Sequence, residues 1–170
     1  IEDSAKLMAM SIEDYLNVSR IESGNMKYNL SDFNLLEMTS KLCDDLRGEA
    51  MQRNLILLFR SDLKGKGIVN ADVGKTNQII HNLINNSIKY TPKGSINVFV
   101  HDDLKTKRIY IDITDTGIGM SKETIDKLFG KFSRANNANS VNTSGTGLGL
   151  YVALKMAQQM GGNITCTSEG

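Results

Sequence analysis

The segment from His81 to Tyr90 carries amide and ammonium side chains at a spacing that suits a charged ligand. At about 100° per residue, Asn82, Asn86 and Lys89 fall within one narrow stripe of a helix. Asparagine carbonyl oxygens are hard ligands that suit Mg²⁺, and a lysine ammonium neutralises phosphates as a point charge. The stripe therefore indicates a metal and phosphate site. A solvated helix face is the alternative that the segment alone leaves open.

A second chemical segment, Asp115-Thr116-Gly117-Ile118-Gly119, directly follows a predicted strand. Its glycines let the backbone approach a planar ligand closely. A carboxylate accepts a hydrogen bond from the exocyclic amine of adenine, whereas it repels the carbonyl oxygen that guanine presents there. Asp115 therefore favours ATP over GTP. A glycine turn with an aspartate cap is the other interpretation.

A third segment, Gly145-Thr146-Gly147-Leu148-Gly149-Leu150, opens a predicted helix. Glycines at a helix N-terminus expose several N–H donors at the positive end of the dipole, which suits phosphate. A flexible loop before a buried helix would look similar, and the spacing is not that of a dinucleotide fingerprint. Gly74-Lys75-Thr76 is not the end of a P-loop, because Val69 stands where the first glycine is required and the segment lies inside a predicted helix.

These segments occur in one order, with a pair of phenylalanines, Phe129 and Phe132, before the last of them. In that order and spacing the chain resembles the catalytic ATP-binding domain of sensor histidine kinases, in the superfamily shared with gyrase, the Hsp90 chaperones and MutL. The four segments match the N, G1, F and G2 boxes of that family. The resemblance covers about Ser31 to Gly170.

The resemblance implies a role for each matching residue. Asn86 is similar to the principal magnesium ligand, Asn82 to its neighbour on metal or phosphate, and Asp115 to the adenine-reading carboxylate. Asn82, Lys89 and Arg134 correspond to catalytic positions, and the two phenylalanines to anchors of the lid. The implied nucleotide contacts are Asn82, Asn86, Lys89, Tyr90, Asp115, Gly117, Gly119, Ser133, Arg134, Gly145, Thr146, Gly147, Leu148 and Gly149. The asparagine-rich stretch 133–144 corresponds to a mobile ATP lid.

The implied activity is transfer of the γ-phosphoryl of Mg-ATP to a histidine in two-component signalling. Neither His81 nor His101 matches the acceptor motif, so we interpret the first as structural and the second as solvated, and expect no autophosphorylation from this chain alone. Hydrolysing relatives place a glutamate base where Asn82 stands, and an amide cannot act as that base. A GHKL-type ATPase and a non-catalytic ATP-binding regulatory module are the alternatives.

The family also implies partners and a location. The partners are ATP or ADP, the acceptor helix of a homodimeric parent kinase and a response regulator receiver domain, with no nucleic acid. The domain is expected in the cytoplasm, and many family members are anchored in a membrane. Net charge +1 argues against a strongly basic nucleic-acid binder. Cys43 and Cys166 are too few for a disulfide framework, and no apolar run approaches the roughly 20 residues of a membrane span.

Two regions must position these residues. Residues 1–24 resemble the second helix of the family's dimerisation hairpin, with an apolar seam at Ile1, Ala5, Met8, Ile12 and Tyr15. Residues 25–170 form the predicted ATP-binding domain, which we expect to be truncated before its last strand. Its expected fold is α+β: a two-layer sandwich of the histidine kinase and Hsp90 (Bergerat) type, with one face of a mixed sheet covered by about three helices.

Local patterns predict the elements of that domain. Alternation over Met26–Leu30 predicts a short strand, and Ser31-Asp32 predicts the cap of the next helix. Further strands are predicted over 55–59, 96–100, 109–113 and 163–168. Asp72 is the predicted cap of the asparagine helix, and a short helix is expected to turn Ile125, Leu128 and Phe129 inward.

Overall fold

The computed structural model describes residues 2–133 and 145–169 of the 170-residue chain. The elements follow in the order α1 (Glu2–Glu22), β1 (Leu30–Asn34), α2 (Leu35–Gln52), β2 (Leu55–Ser61), β3 (Ile68–Asp72), α3 (Val73–Tyr90), β4 (Gly94–Asp103), β5 (Arg108–Asp115), α4 (Lys122–Lys127) and α5 (Gly149–Gln159). The chain divides into two compact units. Residues 29–118 form one unit, and residues 1–28 with 119–170 form the other.

The unit of residues 29–118 contains both sheets of the structure. Strand β4 is central in a three-stranded sheet, pairing in parallel with β2 and antiparallel with β5. Strands β1 and β3 form a separate antiparallel pair. The mixed sheet and the α+β class are therefore confirmed, and the predicted hairpin of β4 and β5 is present.

The core of this unit lies between the three-stranded sheet and helices α2 and α3. Burying each large aliphatic side chain contributes roughly 1.5–3 kcal/mol, so this layer supplies most of the stabilisation of the unit. The same burial holds one face of α3 against the sheet and leaves its opposite face available for polar residues. The buried residues of this core are Leu35, Leu42, Cys43, Leu46, Ala50, Leu55, Leu57, Ile80, Ile84, Ile88, Ile96 and Val98.

The segment before α2 differs from the sequence prediction. Residues 25–29 carry no strand, and Ser31 and Asp32 lie within β1 instead of capping a helix. Helix α2 begins at Leu35, and its cap is Asn34, whose side chain accepts a hydrogen bond from the Glu37 amide at 3.2 Å. The reason is long-range pairing of β1 with β3, a strand that the local pattern did not predict, and this ladder overrides the weaker cap signal.

The other unit contains α1, α4 and α5, and α1 packs against α5. Gly24 follows the end of α1 in the left-handed conformation at φ +70°. The predicted seam residues Met8, Ile12 and Tyr15 of α1 are 69%, 60% and 64% exposed. The residues expected to face inward around α4 are only half-buried; they are Ile125, Leu128 and Phe129.

The predicted strand over residues 163–168 is absent, since residues 163–169 carry no regular secondary structure. A strand requires a hydrogen-bonded neighbour, and no other described segment pairs with these residues. Over residues 2–133 and 145–169, none of the helices combines the length and the apolar character that crossing a membrane would require.

Candidate functional site

Helix α3 carries the amide and ammonium side chains, and its start is fixed by Asp72. The Asp72 carboxylate accepts hydrogen bonds from the backbone amides of Lys75 at 2.9 Å and Asn29 at 2.8 Å. Burial acts to raise the pKa of Asp72, but these two amides and the Lys75 ammonium outweigh it and lower the pKa below its usual value. The predicted cap is therefore confirmed, and it satisfies one free N–H group of the first turn.

The two faces of α3 have opposite character, as the spacing predicted. Ile84 and Ile88 are fully buried in the core. Asn82, Asn86 and Lys89 are half-buried on the other side of the helix. Within the described ranges 2–133 and 145–169, neither asparagine side chain makes a hydrogen bond, so their amide oxygens are available to a ligand.

A carboxylate is held at the end of β5 by hydrogen bonds to each of its oxygens. The Ser87 hydroxyl of α3 donates to Asp115 Oδ2 at 3.0 Å, and the Gly117 amide donates to Oδ1 at 2.9 Å. Hydrogen bonds to a charged acceptor are worth roughly 1.5–3 kcal/mol each, so they fix the orientation of the group. Asp115 is nevertheless exposed, and each oxygen keeps a lone pair for a further donor.

Beside this carboxylate the backbone packs so closely against the end of α3 that only glycine fits at position 117. A Cβ at Gly117 would lie 2.5 Å from the Tyr90 carbonyl oxygen, 2.7 Å from Asp115 Oδ1 and 3.1 Å from Thr91 Oγ1. The Ile118 amide donates to the Tyr90 carbonyl oxygen at 3.1 Å, which joins the turn to the end of α3. The turn therefore presents a carboxylate and bare backbone with no intervening side chain, as a flat ligand requires.

The buried hydroxyl of Thr91 lies beside the same turn. Thr91 is 3% exposed, and its Oγ1 is buried with no hydrogen-bond partner among the described residues. A buried hydroxyl without a partner is costly, so its presence beside a carboxylate indicates a site that a bound molecule or water completes. A planar base with polar edges fits this combination of carboxylate, bare backbone and hydroxyl.

Sequence reasoning missed Ser87 and Thr91. Ser87 lies on the apolar side of α3 and is buried at 8% exposure. A hydroxyl on an otherwise aliphatic helix face must find a partner, and that mismatch was the signal for its bond to Asp115. Thr91 follows the last residue of α3 and carried no comparable signal in the sequence.

The predicted phosphate loop lies at the start of α5, in the unit that also contains α1. Gly147 has φ +71°, and a Cβ there would lie 2.9 Å from the Phe132 carbonyl carbon and 3.0 Å from the Ser133 oxygen. Glycine is thus required at 147 both by conformation and by space. At Gly145 an added Cβ would meet no heavy atom of the described residues within 4 Å, its chain neighbours aside.

The hydroxyl of Thr146 caps this loop. Thr146 Oγ1 accepts a hydrogen bond from the Leu148 amide at 3.3 Å and donates to Asp14 Oδ2 of α1 at 2.8 Å. Leu148 is the N-cap residue of α5, which begins at Gly149, and its own side chain offers no cap. The amide of the residue that precedes the helix is therefore satisfied from within the loop.

The remaining predicted residues have mixed outcomes. Gly119 has the left-handed conformation at φ +66°, consistent with a glycine requirement in that turn. Phe129 is half-buried, but Phe132 is 66% exposed, so its ring is not buried as an anchor would be. Arg134 and the predicted lid over 134–144 lie outside the described residues.

No conventional metal cluster accompanies these groups. Within residues 2–133 and 145–169, no three histidine, cysteine, aspartate or glutamate side chains lie close enough to hold a metal ion. A cation bound here would take asparagine oxygens, waters and ligand oxygens instead, which is a donor set that suits magnesium.

Comparison with known proteins identifies relatives for the whole chain. The model of the family of histidine kinase-, DNA gyrase B- and HSP90-like ATPases matches residues 71–170. Hybrid signal transduction histidine kinase B of Dictyostelium discoideum is 35% identical over 161 residues, which are 93% of this chain. The match covers only 8% of that protein, so the chain spans a small part of this curated relative.

Solved structures share the fold over nearly the full chain. Full-length ShkA in complex with AMPPNP matches with a TM-score of 0.81 at 18% identity, covering 98% of this chain and 35% of that one. ThkA in complex with the response regulator protein TrrA matches with a TM-score of 0.66 at 20% identity, covering 94% of this chain and 43% of that one. These two likenesses establish the fold.

Proposed function

The chain belongs to the family of histidine kinase-, DNA gyrase B- and HSP90-like ATPases, and on that premise we propose that it positions Mg-ATP for phosphoryl transfer to a histidine in a sensor kinase. The observation that carries the proposal is the Asp115 carboxylate, held by Ser87 and Gly117 in a turn so closely packed that Gly117 has no room for a Cβ. Such a carboxylate has free acceptor capacity for an amine at the edge of a flat base.

Adenine is the base that suits the Asp115 turn. Its exocyclic amine donates a hydrogen bond to a carboxylate, whereas a base with a carbonyl oxygen at that position is repelled. The buried Thr91 hydroxyl supplies a further polar contact, direct or through one water. The Tyr90 ring, at the end of α3, packs against the base or the ribose.

Asn86 and Asn82 are the proposed magnesium ligands. Their amide oxygens make no other hydrogen bond within the described ranges, and magnesium suits oxygen ligands that are completed by water and phosphate. When bound, the cation neutralises charge on the transferring phosphoryl group. Lys89, on the same stripe of α3, supplies a second positive charge for the phosphates.

The second group of residues is proposed to contact the phosphates. It consists of Gly119, Ser133, Arg134, Gly145, Thr146, Gly147, Leu148 and Gly149. The bare backbone at Gly147 and the hydroxyl of Thr146 are donors of the kind that phosphate oxygens accept. Arg134 is proposed as the second catalytic cation besides Lys89, acting on the γ-phosphate.

Transfer is favoured over hydrolysis by the chemistry of Asn82. Hydrolysis requires a base that removes a proton from water, and an amide has no such capacity. Positioning and charge neutralisation suffice for phosphoryl transfer, since the protein contributes no covalent step of its own.

The proposed acceptor is a histidine on a stalk to which α1 belongs. Residues 1–24 are proposed as the end of the dimerisation hairpin, and residues 25–170 as the ATP-binding domain. The exposed seam of Met8, Ile12 and Tyr15 supports pairing with further helices in a homodimeric parent. A response regulator is the proposed recipient of the phosphoryl group, as the complex of ThkA with TrrA suggests for this family.

Substitution of Asp115 tests the proposal. Asp115→Asn keeps an acceptor for Ser87 but places an amide before the adenine amine, so we expect ATP affinity to fall roughly 10- to 100-fold. Isothermal titration calorimetry of the chain with Mg-ATP measures this. Asp112→Asn is the matched control, since Asp112 lies on the same strand and bonds to His101 at 2.9 Å.

A second arm of the same experiment tests the metal. Asn86→Ala should weaken ATP binding with Mg²⁺ present and change it little with EDTA. Unchanged ATP affinity in Asp115→Asn would remove Asp115 from the site, and an equal loss with and without Mg²⁺ in Asn86→Ala would remove the metal role.

A further inference from the structure

Helix α1 makes a direct bond to the glycine loop at the start of α5. Thr146 Oγ1 donates to Asp14 Oδ2 at 2.8 Å across 132 positions of sequence, and the contact is partly buried. Because Thr146 also caps the Leu148 amide, the carboxylate holds the hydroxyl that organises the first turn of α5. The bond between Asp14 and Thr146 therefore influences the conformation of the glycine loop.

A second acidic residue of α1 engages the segment on which the loop packs. Glu22 forms an ion pair with the Lys131 ammonium, which also lies 5.5 Å from the centre of the Tyr151 ring of α5. Lys131 immediately precedes Phe132, and the backbone of Phe132 is in tight contact with Gly147. One carboxylate of α1 thus accepts a hydrogen bond from a hydroxyl of the glycine loop, and a second forms an ion pair with an ammonium group close to it.

Those two donors are of the kind that phosphate oxygens use. A carboxylate on each donor competes with a phosphate for the same hydrogen, and it adds a negative charge that repels the polyanion. We propose that Asp14 and Glu22 make α1 an intramolecular competitor of the nucleotide phosphates, so that α1 docked on the loop lowers ATP affinity.

The inference rests on the proposed function, because it requires the Thr146 loop to face phosphate. It goes further in assigning a restraining role to two residues of α1. By linkage, a competitor that weakens ATP binding must itself be weakened to the same extent when ATP binds. Nucleotide is therefore expected to loosen α1 from the loop.

The experiment compares three single variants of the chain. Asp14→Asn and Glu22→Gln remove the two charges, and Glu13→Gln removes a neighbouring charge that is exposed and makes no ion pair or hydrogen bond with the described residues. Binding of ATP, ADP and adenosine is measured by calorimetry at low and high salt. Adenosine is the matched ligand, because it has the base and sugar but no phosphate.

We expect Asp14→Asn and Glu22→Gln to bind ATP roughly three- to tenfold more tightly than the wild type, the size of one partly exposed charged contact. The gain should be smaller for ADP, absent for adenosine and reduced by salt. Glu13→Gln should match the wild type. Amide exchange in α1 should rise when ATP is added to the wild type.

Opposite results are distinguishable. If Asp14→Asn has the same ATP affinity as Glu13→Gln, binds ATP more weakly than the wild type, or gains as much affinity for adenosine as for ATP, α1 is not a competitor of the phosphates. ATP binding by the wild type would still support the proposed function in each of these cases. If the wild type binds neither ATP nor adenosine, the proposed function fails and this inference fails with it.

Discussion

The Asp115 turn and the glycine loop of α5 are both backbone turns with obligatory glycines, yet they are stabilised differently. The Asp115 turn is held by α3, whose isoleucines are fully buried in the core of its own unit. The glycine loop contains Leu148, which is only 3% exposed, and it is also held by polar contacts, one of which comes from α1. The Asp115 turn therefore depends on the packed core of its own unit, whereas the glycine loop combines one buried side chain with exchangeable polar bonds.

This difference separates two properties of the proposed site. Recognition of the base should be rigid and insensitive to the position of α1, because the core of residues 29–118 builds it. Contact with phosphate should respond to α1, because a carboxylate of that helix bonds to the loop. The following substitutions test the rigid half of this comparison, in order of decreasing effect.

Gly117→Ala should have the largest effect. The added methyl would lie 2.5 Å from the Tyr90 carbonyl oxygen, which is too close, so the turn and its carboxylate must move. We expect ATP affinity to fall roughly a hundredfold, about 2.8 kcal/mol, as measured by calorimetry. Gly48→Ala is the control, because no heavy atom lies within 4 Å of a Cβ at Gly48. An unchanged affinity in Gly117→Ala would show that the base does not bind beside this turn.

Ser87→Ala should have an intermediate effect. It leaves Asp115 in place but removes the 3.0 Å bond that orients Oδ2, so we expect roughly tenfold weaker ATP binding with little loss of stability. Ser40→Ala on α2 is the matched control, since it is also a helical serine outside the site. A loss in the free energy of unfolding as large as the loss in the free energy of ATP binding would instead mean that Ser87 only supports packing.

Asp72→Ala should have the smallest effect on ATP binding and should mainly lower the stability of the fold. Removal of the α3 cap is expected to cost about 1–2 kcal/mol at pH 7, measured by urea denaturation. The pKa of Asp72 is lower in the folded chain, so its charge stabilises the fold fully above the unfolded pKa of roughly 3.9. This contribution is lost as the pH falls through the lowered folded value.

The control for this substitution is Asp45→Asn, which removes an exposed aspartate of α2 and should leave the pH profile unchanged. The stability difference between the wild type and Asp72→Ala should be constant above about pH 5 and shrink below about pH 4. A difference that grows towards acid pH would contradict the lowered pKa of Asp72.

Much of the architecture was predictable because it depends on local pattern. The 3.6-residue period of α3 separated Ile84 and Ile88 from Asn82 and Asn86, and the Asp72 cap marked its start. The hairpin of β4 and β5 followed from strict alternation. The resemblance to the kinase family, carried by four short segments in order, was confirmed by the family match over residues 71–170.

Errors arose where distant segments compete with local signals. Ser31-Asp32 has the composition of a helix cap, but pairing with β3 draws these residues into a strand. Residues 163–168 alternate like a strand, yet a strand forms only beside a partner, and no described segment offers one. Whether such a segment forms a strand depends on a neighbour that its own residues do not specify.

By itself, the sequence determined which side chains could do chemistry and which helix face carries them, because side-chain spacing along a helix is set by backbone geometry. Only the tertiary structure decided that Ser87 holds Asp115, that the Thr91 hydroxyl has no hydrogen-bond partner among the described residues and that Asp14 bonds to Thr146. These contacts join residues far apart in the chain, and their existence depends on the packing of whole elements against one another.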